Sequence, residues 1–148
     1  MSVELPFAPV DTIIRRNAGG LRVSAEAAEE LARRIQEHGA AVATEAAERA
    51  TEDDRKTLMA ADFAAGGAPM DADGEALELP IAPVDRIARL DIDDSYRVAM
   101  DARVALAALL ESYADDVAAA AAVLAAHADR RTVKGEDVAV YYDLELYF

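Results

Sequence analysis

The side chains best suited to bind an anion fall at positions that occur twice. Arg22-Val23 returns as Arg97-Val98, and Arg55-Lys56-Thr57 returns as Arg130-Arg131-Thr132, each 75 residues later. A guanidinium group binds a phosphate or a carboxylate through two parallel hydrogen bonds. Ten of the 15 basic residues lie at these positions or near a recurring proline-containing segment: Arg15, Arg16, Arg22, Arg55, Lys56, Arg86, Arg89, Arg97, Arg130 and Arg131. The pattern indicates arginine-based phosphate binding, with helix capping or ion pairing within the chain as the alternative.

Other chemistry is poorly represented. The chain has no cysteine and only two histidines, which leaves little for a thiolate or histidine metal site. The segment 91–95 opens like a calcium loop, but Tyr96 replaces its glycine and Ala102 its bidentate glutamate. No nucleophile paired with a base and no phosphate-cradling glycine loop is present. We therefore expect no enzyme activity, no catalytic residue, no metal and no cofactor.

The overall charge is strongly acidic, since 29 acidic residues give a net charge of −14. Only Lys56 and Lys134 are lysines, and the other 13 basic residues are arginines. An acidic, lysine-poor composition favours a salt-adapted host, where abundant cations screen the carboxylates; an ordinary acidic protein is the alternative. No apolar run reaches the roughly 20 residues of a membrane helix, and the start lacks a basic signal-peptide flank. We expect a cytoplasmic protein.

The chain is a tandem duplication. Residues 4–11 (ELPFAPVD) recur as residues 78–85 (ELPIAPVD) with seven of eight positions identical. The glycine-, proline- and aspartate-rich stretch between the repeats is typical of a linker. We place copy one at 1–65, the linker at 66–77 and copy two at 78–148.

Each copy is predicted to form a short, a long and a short helix. Ser24 is a good N-cap for a helix ending near Glu52, and the second long helix runs from about Ala99 to His127. Thr57 and Thr132 are expected to cap the third helices. A helix of about 28 residues spans about 42 Å, which two short helices cannot cover. We therefore predict an all-α fold in which the two copies pair as an intramolecular pseudo-dimer.

The ordered motifs ELP-[FI]-APV, R-V-[SA] and R-[KR]-T-x4-D resemble the archaeal histone family in both halves of the chain. The resemblance implies two histone folds paired in a handshake, which bind double-stranded DNA without reading base sequence, compact the chromosome and modulate transcription. It implies that Thr57 and Thr132 hydrogen-bond the loop arginine of the opposite copy. The implied DNA-binding residues are Arg15, Arg16, Arg22, Arg55, Lys56, Thr57, Arg86, Arg89, Arg97, Arg130, Arg131 and Thr132.

Two of these arginines also have a structural interpretation. Arg55 precedes Asp62, and Arg130 precedes Asp137, by seven residues, which matches the buried arginine–aspartate clamp of the family. We expect the clamp to be the main role of Arg55 and Arg130, and direct DNA contact to be secondary.

Several departures from the family weaken the expected DNA contact. Thr12 stands where copy two has Arg86, and acidic residues stand beside the expected phosphate path at Asp11, Asp85, Asp91, Asp93 and Asp94. With about eight phosphates engaged, a tenfold rise in salt would lower affinity by roughly seven powers of ten. The competing hypothesis is therefore a histone-fold regulatory module that recruits proteins and binds DNA weakly or not at all.

The family also pairs dimers through a four-helix bundle. Copy two keeps the residues of that surface: Leu124, His127, Asp137 and Val140. Copy one has Arg49, Glu52 and Ala65 at three of these positions. We therefore predict self-association through copy two only. His38 corresponds to Tyr113 and is expected to be a packed, neutral histidine.

The last eight residues, 141–148, hold four of the eight aromatic side chains beside acidic ones. One hypothesis is that this tail packs across the core. The other is that it docks a protein partner.

Overall fold

The computed structural model describes residues 2–148, and its architecture is the predicted all-α pair of short-long-short units. Copy one contains α1 (Phe7–Asn17), α2 (Ala25–Glu52) and α3 (Ala60–Ala64). Copy two contains α4 (Ile81–Ala88), α5 (Met100–His127) and α6 (Gly135–Glu145). Four two-residue strands lie in the loops: β1 (Arg22–Val23), β2 (Thr57–Leu58), β3 (Arg97–Val98) and β4 (Thr132–Val133). One 3-10 turn, Gly74–Ala76, lies in the predicted linker.

The long helices form where the sequence pattern places them. The hydroxyl of Ser24 accepts a hydrogen bond from the Ala27 amide and so caps α2, as predicted. Leu31 and Ile35 are four residues apart and fully buried on one face of α2. Leu106 and Leu110 occupy the corresponding positions of α5 and are also fully buried. Small alanines along both helices allow close approach.

The two copies interlock. Helix α1 packs on α5 of the other copy, α4 packs on α2, and the long helices α2 and α5 contact each other. The strands pair across the copies as well, because β1 runs parallel to β4 and β2 runs parallel to β3. Both copies contribute to one hydrophobic core. The predicted intramolecular pseudo-dimer is confirmed.

Gly39 marks the closest approach of α2 to copy two. A Cβ atom at this position would lie 2.7 Å from Cγ2 of Ile87 and 3.0 Å from Cδ1 of Leu110. Both neighbours are fully buried and cannot swing into solvent. Glycine is therefore required sterically here, although it is a weak helix former.

The third helices begin differently from the prediction. Thr57 and Thr132 do not cap them, because both residues lie in strands, and the N-caps are Met59 and Lys134. The Asp62 carboxylate accepts the Met59 amide at 2.8 Å, and Asp137 accepts the Lys134 amide at the same distance. The capping oxygen thus comes from inside each helix, whereas the prediction considered only the preceding residue.

The third helices also differ in length. Helix α3 ends after five residues because Gly67 adopts a left-handed φ of +105°. The amides of Gly67 and Ala68 then bond back to the carbonyls of Ala64 and Phe63. Ala68 is buried against the core, so the linker leaves α3 along the body of the protein. Helix α6 has no such stop and runs for 11 residues.

Candidate nucleic-acid interface

Strand pairing brings the two repeated basic motifs together. The Arg22 amide donates to the Arg131 carbonyl at 2.8 Å, and the Arg97 amide donates to the Lys56 carbonyl at 2.8 Å. The side chains of all four residues are exposed. Within residues 2–148, none of them forms an ion pair with a carboxylate. Each strand pair therefore presents two cations that are available to an external anion.

The threonines are placed beside the loop arginines but are bonded differently from the prediction. Thr57 is the strand partner of Arg97, and Thr132 is the strand partner of Arg22. No hydrogen bond joins a threonine hydroxyl to either arginine in the described part of the chain. The Thr57 carbonyl instead accepts a bond from Arg55. The backbone ladder, rather than the threonine side chain, aligns the two loops.

The arginines of the first helices are exposed but already paired. Arg15 contacts Asp11 at 2.7 Å, Arg86 contacts Glu4 at 2.8 Å, and Arg89 contacts Asp85 at 3.1 Å. Asp85 also receives Arg103. Such exposed pairs are weak and exchange readily. A phosphate would have to compete with these carboxylates, which makes Arg15, Arg86 and Arg89 weaker candidates than the loop residues.

Arg16 lies in an ion-pair cluster between the copies. Its guanidinium donates to both carboxylate oxygens of Asp115, at 2.9 and 2.8 Å, and to Glu111 at 3.1 Å. Asn17 also donates to Asp115. These hydrogen bonds outweigh the burial of Asp115 and lower its pKa, and the Asp115 bond raises the pKa of Arg16. The geometry favours an inter-copy clamp over the predicted DNA contact.

Sequence reasoning missed Asp115, Glu111 and Asn17. The duplication carried a weak signal, because Arg16 aligns with Leu90, and Asp115 aligns with Ala40. A charge present in one copy and absent from the other at both of these positions is what an asymmetric pair requires.

The two predicted arginine–aspartate pairs are formed. Arg55 binds both oxygens of Asp62 at 2.9 Å, and Arg130 binds both oxygens of Asp137. The two aspartates are buried, and each also caps its third helix. The hydrogen bond from Arg55 lowers the pKa of Asp62, while burial opposes this effect. With both guanidinium groups held in this way, the geometry favours the structural role for Arg55 and Arg130.

The comparisons with known proteins agree with this architecture. The sequence model of the family described as "Histone-like transcription factor (CBF/NF-Y) and archaeal histone" matches residues 3–65 and 77–140. The chain belongs to this family. The archaeal histone HAN1 of Thermococcus zilligii is 52% identical over 61 residues, which cover 41% of this chain and 88% of that protein. The crystal structure of the histone from Methanopyrus kandleri matches with a TM-score of 0.69 and 28% identity over 90% of each chain.

Membership of a histone family has two direct consequences. It supports a histone-like DNA-binding role, and it confirms the expectation that the protein is not an enzyme, since histones are architectural. Separately, none of the helices within residues 2–148 is both long and apolar enough to cross a membrane.

The two histone copies present different surfaces at the ends of their long helices. In copy two, Val123, His127 and Val140 are exposed, Leu124 is partly buried, and Asp137 is held in its clamp. In copy one, Arg49 donates to the Asp62 carbonyl at 2.6 Å and lies within 4.0 Å of Glu45. An apolar surface is thus present on copy two, whereas a paired arginine covers the corresponding part of copy one.

The C-terminal segment of the histone is divided between packing and exposure. Tyr142 hydrogen-bonds Tyr113 through their hydroxyl groups and receives the Arg34 guanidinium 4.3 Å from its ring centre. His38 stacks on Tyr113 at 4.0 Å, and burial lowers its pKa, as expected for a packed, neutral histidine. Burial likewise raises the pKa of Tyr113 to about 12. In contrast, residues 146–148 are between 83% and 91% exposed.

Proposed function

We propose that this protein is a histone-like binder of double-stranded DNA that compacts the chromosome and modulates transcription without sequence readout. The observation that carries the proposal is the pair of unpaired, exposed cations at each strand pair, namely Arg22 with Arg131 and Arg97 with Lys56. Arginines are suited to enter the minor groove and to neutralise adjacent phosphates. Binding of this kind follows DNA shape and charge rather than base identity.

The remaining members of the predicted set have graded roles in this proposal. Arg15, Arg86 and Arg89 add phosphate contacts after exchanging their carboxylate partners. Arg55 and Arg130 hold the loops through Asp62 and Asp137, and Thr57 and Thr132 align them through the backbone. The predicted salt-adapted host fits the lysine-poor, acidic composition. In such a host, screening of surface carboxylates would reduce their repulsion of DNA.

The first prediction concerns DNA affinity as a function of salt. The Arg22→Ala/Arg97→Ala variant is expected to bind a random-sequence duplex at least tenfold more weakly at about 0.1 M salt, since one lost contact of about 1.4 kcal/mol gives that factor. Each lost phosphate contact should also reduce the slope of log affinity against log salt by about 0.9. Fluorescence anisotropy from low to molar salt measures both quantities.

The matched control is Arg33→Ala, because Arg33 is exposed but pairs with Glu30 and Glu37 on α2. This variant should bind DNA as the unmodified chain does. The proposal would be contradicted if the unmodified chain did not bind duplex DNA even at low salt, or if the double variant bound as tightly as the control.

The competing function is a regulatory histone-fold module that recruits proteins. It is favoured by the net charge of −14 and by the exposed apolar side chains of residues 146–148. Capture of a defined protein partner that requires these residues, together with DNA binding that is insensitive to the loop arginines, would support this function instead.

We further propose that the histone self-associates through copy two only. The Val140→Glu variant is expected to remove concentration-dependent association, because it places a charge on the exposed apolar surface of α6. Ala65→Glu is the control, since Ala65 occupies the equivalent exposed position of copy one. Sedimentation velocity would show loss of the larger species for the first variant alone. Long polymers of the unmodified chain would contradict pairing through a single surface.

A further inference from the structure

The two strand pairs have equivalent backbones but opposite surroundings. The β1–β4 pair is flanked by segments 17–23 and 117–133, which together contain three basic residues and one acidic residue, a net charge of +2. The β2–β3 pair is flanked by the equivalent segments 91–98 and 42–58, which contain four basic and eight acidic residues, a net charge of −4. The ends of the pseudo-dimer therefore differ by six charges.

The difference is located directly beside the exposed cations. At the β2–β3 end, a surface groove is lined by Glu48, Asp91, Asp93 and Tyr96. The Lys56 ammonium group lies 4.4 Å from the centre of the Tyr96 ring, on the same loop as these aspartates. An incoming phosphate must approach Lys56 and Arg97 past carboxylates that repel it.

The β1–β4 end has no equivalent barrier among the described residues. The position of Glu48 is taken there by Val123, and the first loop carries Gly19 and Gly20 in place of acidic residues. Both glycines face open space, since a Cβ atom added to either of them would meet nothing within 4 Å. Arg22 and Arg131 are thus approached over a neutral surface.

We infer that the protein holds duplex DNA asymmetrically, with the β1–β4 end as the anchor and the β2–β3 end contributing only when cations screen its carboxylates. This inference rests on the proposed DNA binding and specifies which end of the interface carries it. Salt acts in opposite senses at the two ends, because it weakens phosphate contacts at the anchor and reduces repulsion at the acidic end.

The test compares single substitutions in the full chain, using anisotropy with a short random-sequence duplex at about 0.1 M salt. Arg22→Ala is expected to weaken binding about tenfold, and Arg97→Ala less than about twofold. Changing Asp91, Asp93 and Asp94 together to Asn should strengthen binding, and Arg97→Ala in that background should then cost about tenfold. Gly20→Asp, at an open position, should weaken binding by introducing at the anchor the charge that the other end has.

Thermal melting of each variant shows whether the fold is retained, so that a loss of binding is assigned to the interface. Equal losses for Arg22→Ala and Arg97→Ala would overturn the asymmetry and leave the proposed DNA binding intact. Absence of DNA binding by the unmodified chain at every salt concentration would overturn both.

Discussion

The Phe63→Ala variant is expected to lose about 3–5 kcal/mol of unfolding free energy, the usual cost of removing a buried phenylalanine. Phe63 is fully buried and is the largest such side chain in the core. It lies on α3, whose five residues offer no neighbouring turn that could shift to fill the cavity. Chemical denaturation followed by far-ultraviolet circular dichroism measures the change.

Phe7→Ala provides the matched control, because it removes the same ring from a side chain that is 48% exposed. We expect a much smaller loss for this variant, since little apolar surface is returned to water. A similar loss for both variants would mean that α3 is not an integral part of the shared core.

The second large effect is expected at Glu111. This buried carboxylate accepts the backbone amides of Glu78 and Leu79 at 2.7 and 3.0 Å, and it also binds Arg16. Glu111→Ala leaves these donors without their acceptor in a site that water reaches poorly. The expected loss is about 2–3 kcal/mol of unfolding free energy. Denaturant titration at neutral pH measures it.

Glu111→Gln separates the hydrogen-bonding role from the charge. Gln36 occupies the equivalent position of copy one and accepts the Glu4 amide at 2.7 Å through its side-chain oxygen. Glutamine at position 111 should therefore retain most of the stability and lose only part of the Arg16 interaction. If the Gln variant were as unstable as the Ala variant, the ion pair rather than the amide acceptor would be the main contribution.

Much of the fold was predictable because its signals are local or repeated. The Ser24 cap, the Leu31–Ile35 periodicity and the repeated ELP segments each reside in a few neighbouring residues. The pairing of the copies followed from helix length, since a 28-residue helix needs a partner. The basic loop motifs are brought together as predicted, and their contact with DNA stays a prediction.

The remaining features depend on distances that a single sequence does not show. Arg16 and Asp115 are 99 residues apart, and their pairing requires the register of α1 against α5. The helix caps at Met59 and Lys134 were missed because the capping carboxylates, Asp62 and Asp137, had been assigned only to their arginines. One carboxylate performs both tasks.

The close contact at Gly39 means that the two halves of this chain are not interchangeable. The residue of copy two at the same position is Ala114, so its methyl group would be driven into Ile87 and Leu110 if two second copies embraced each other. Fusion in one polypeptide supplies the fitting partner at a fixed ratio of one to one. A gene duplication that began with identical halves has thereby become a matched couple, in which each half is free to diverge in its surface.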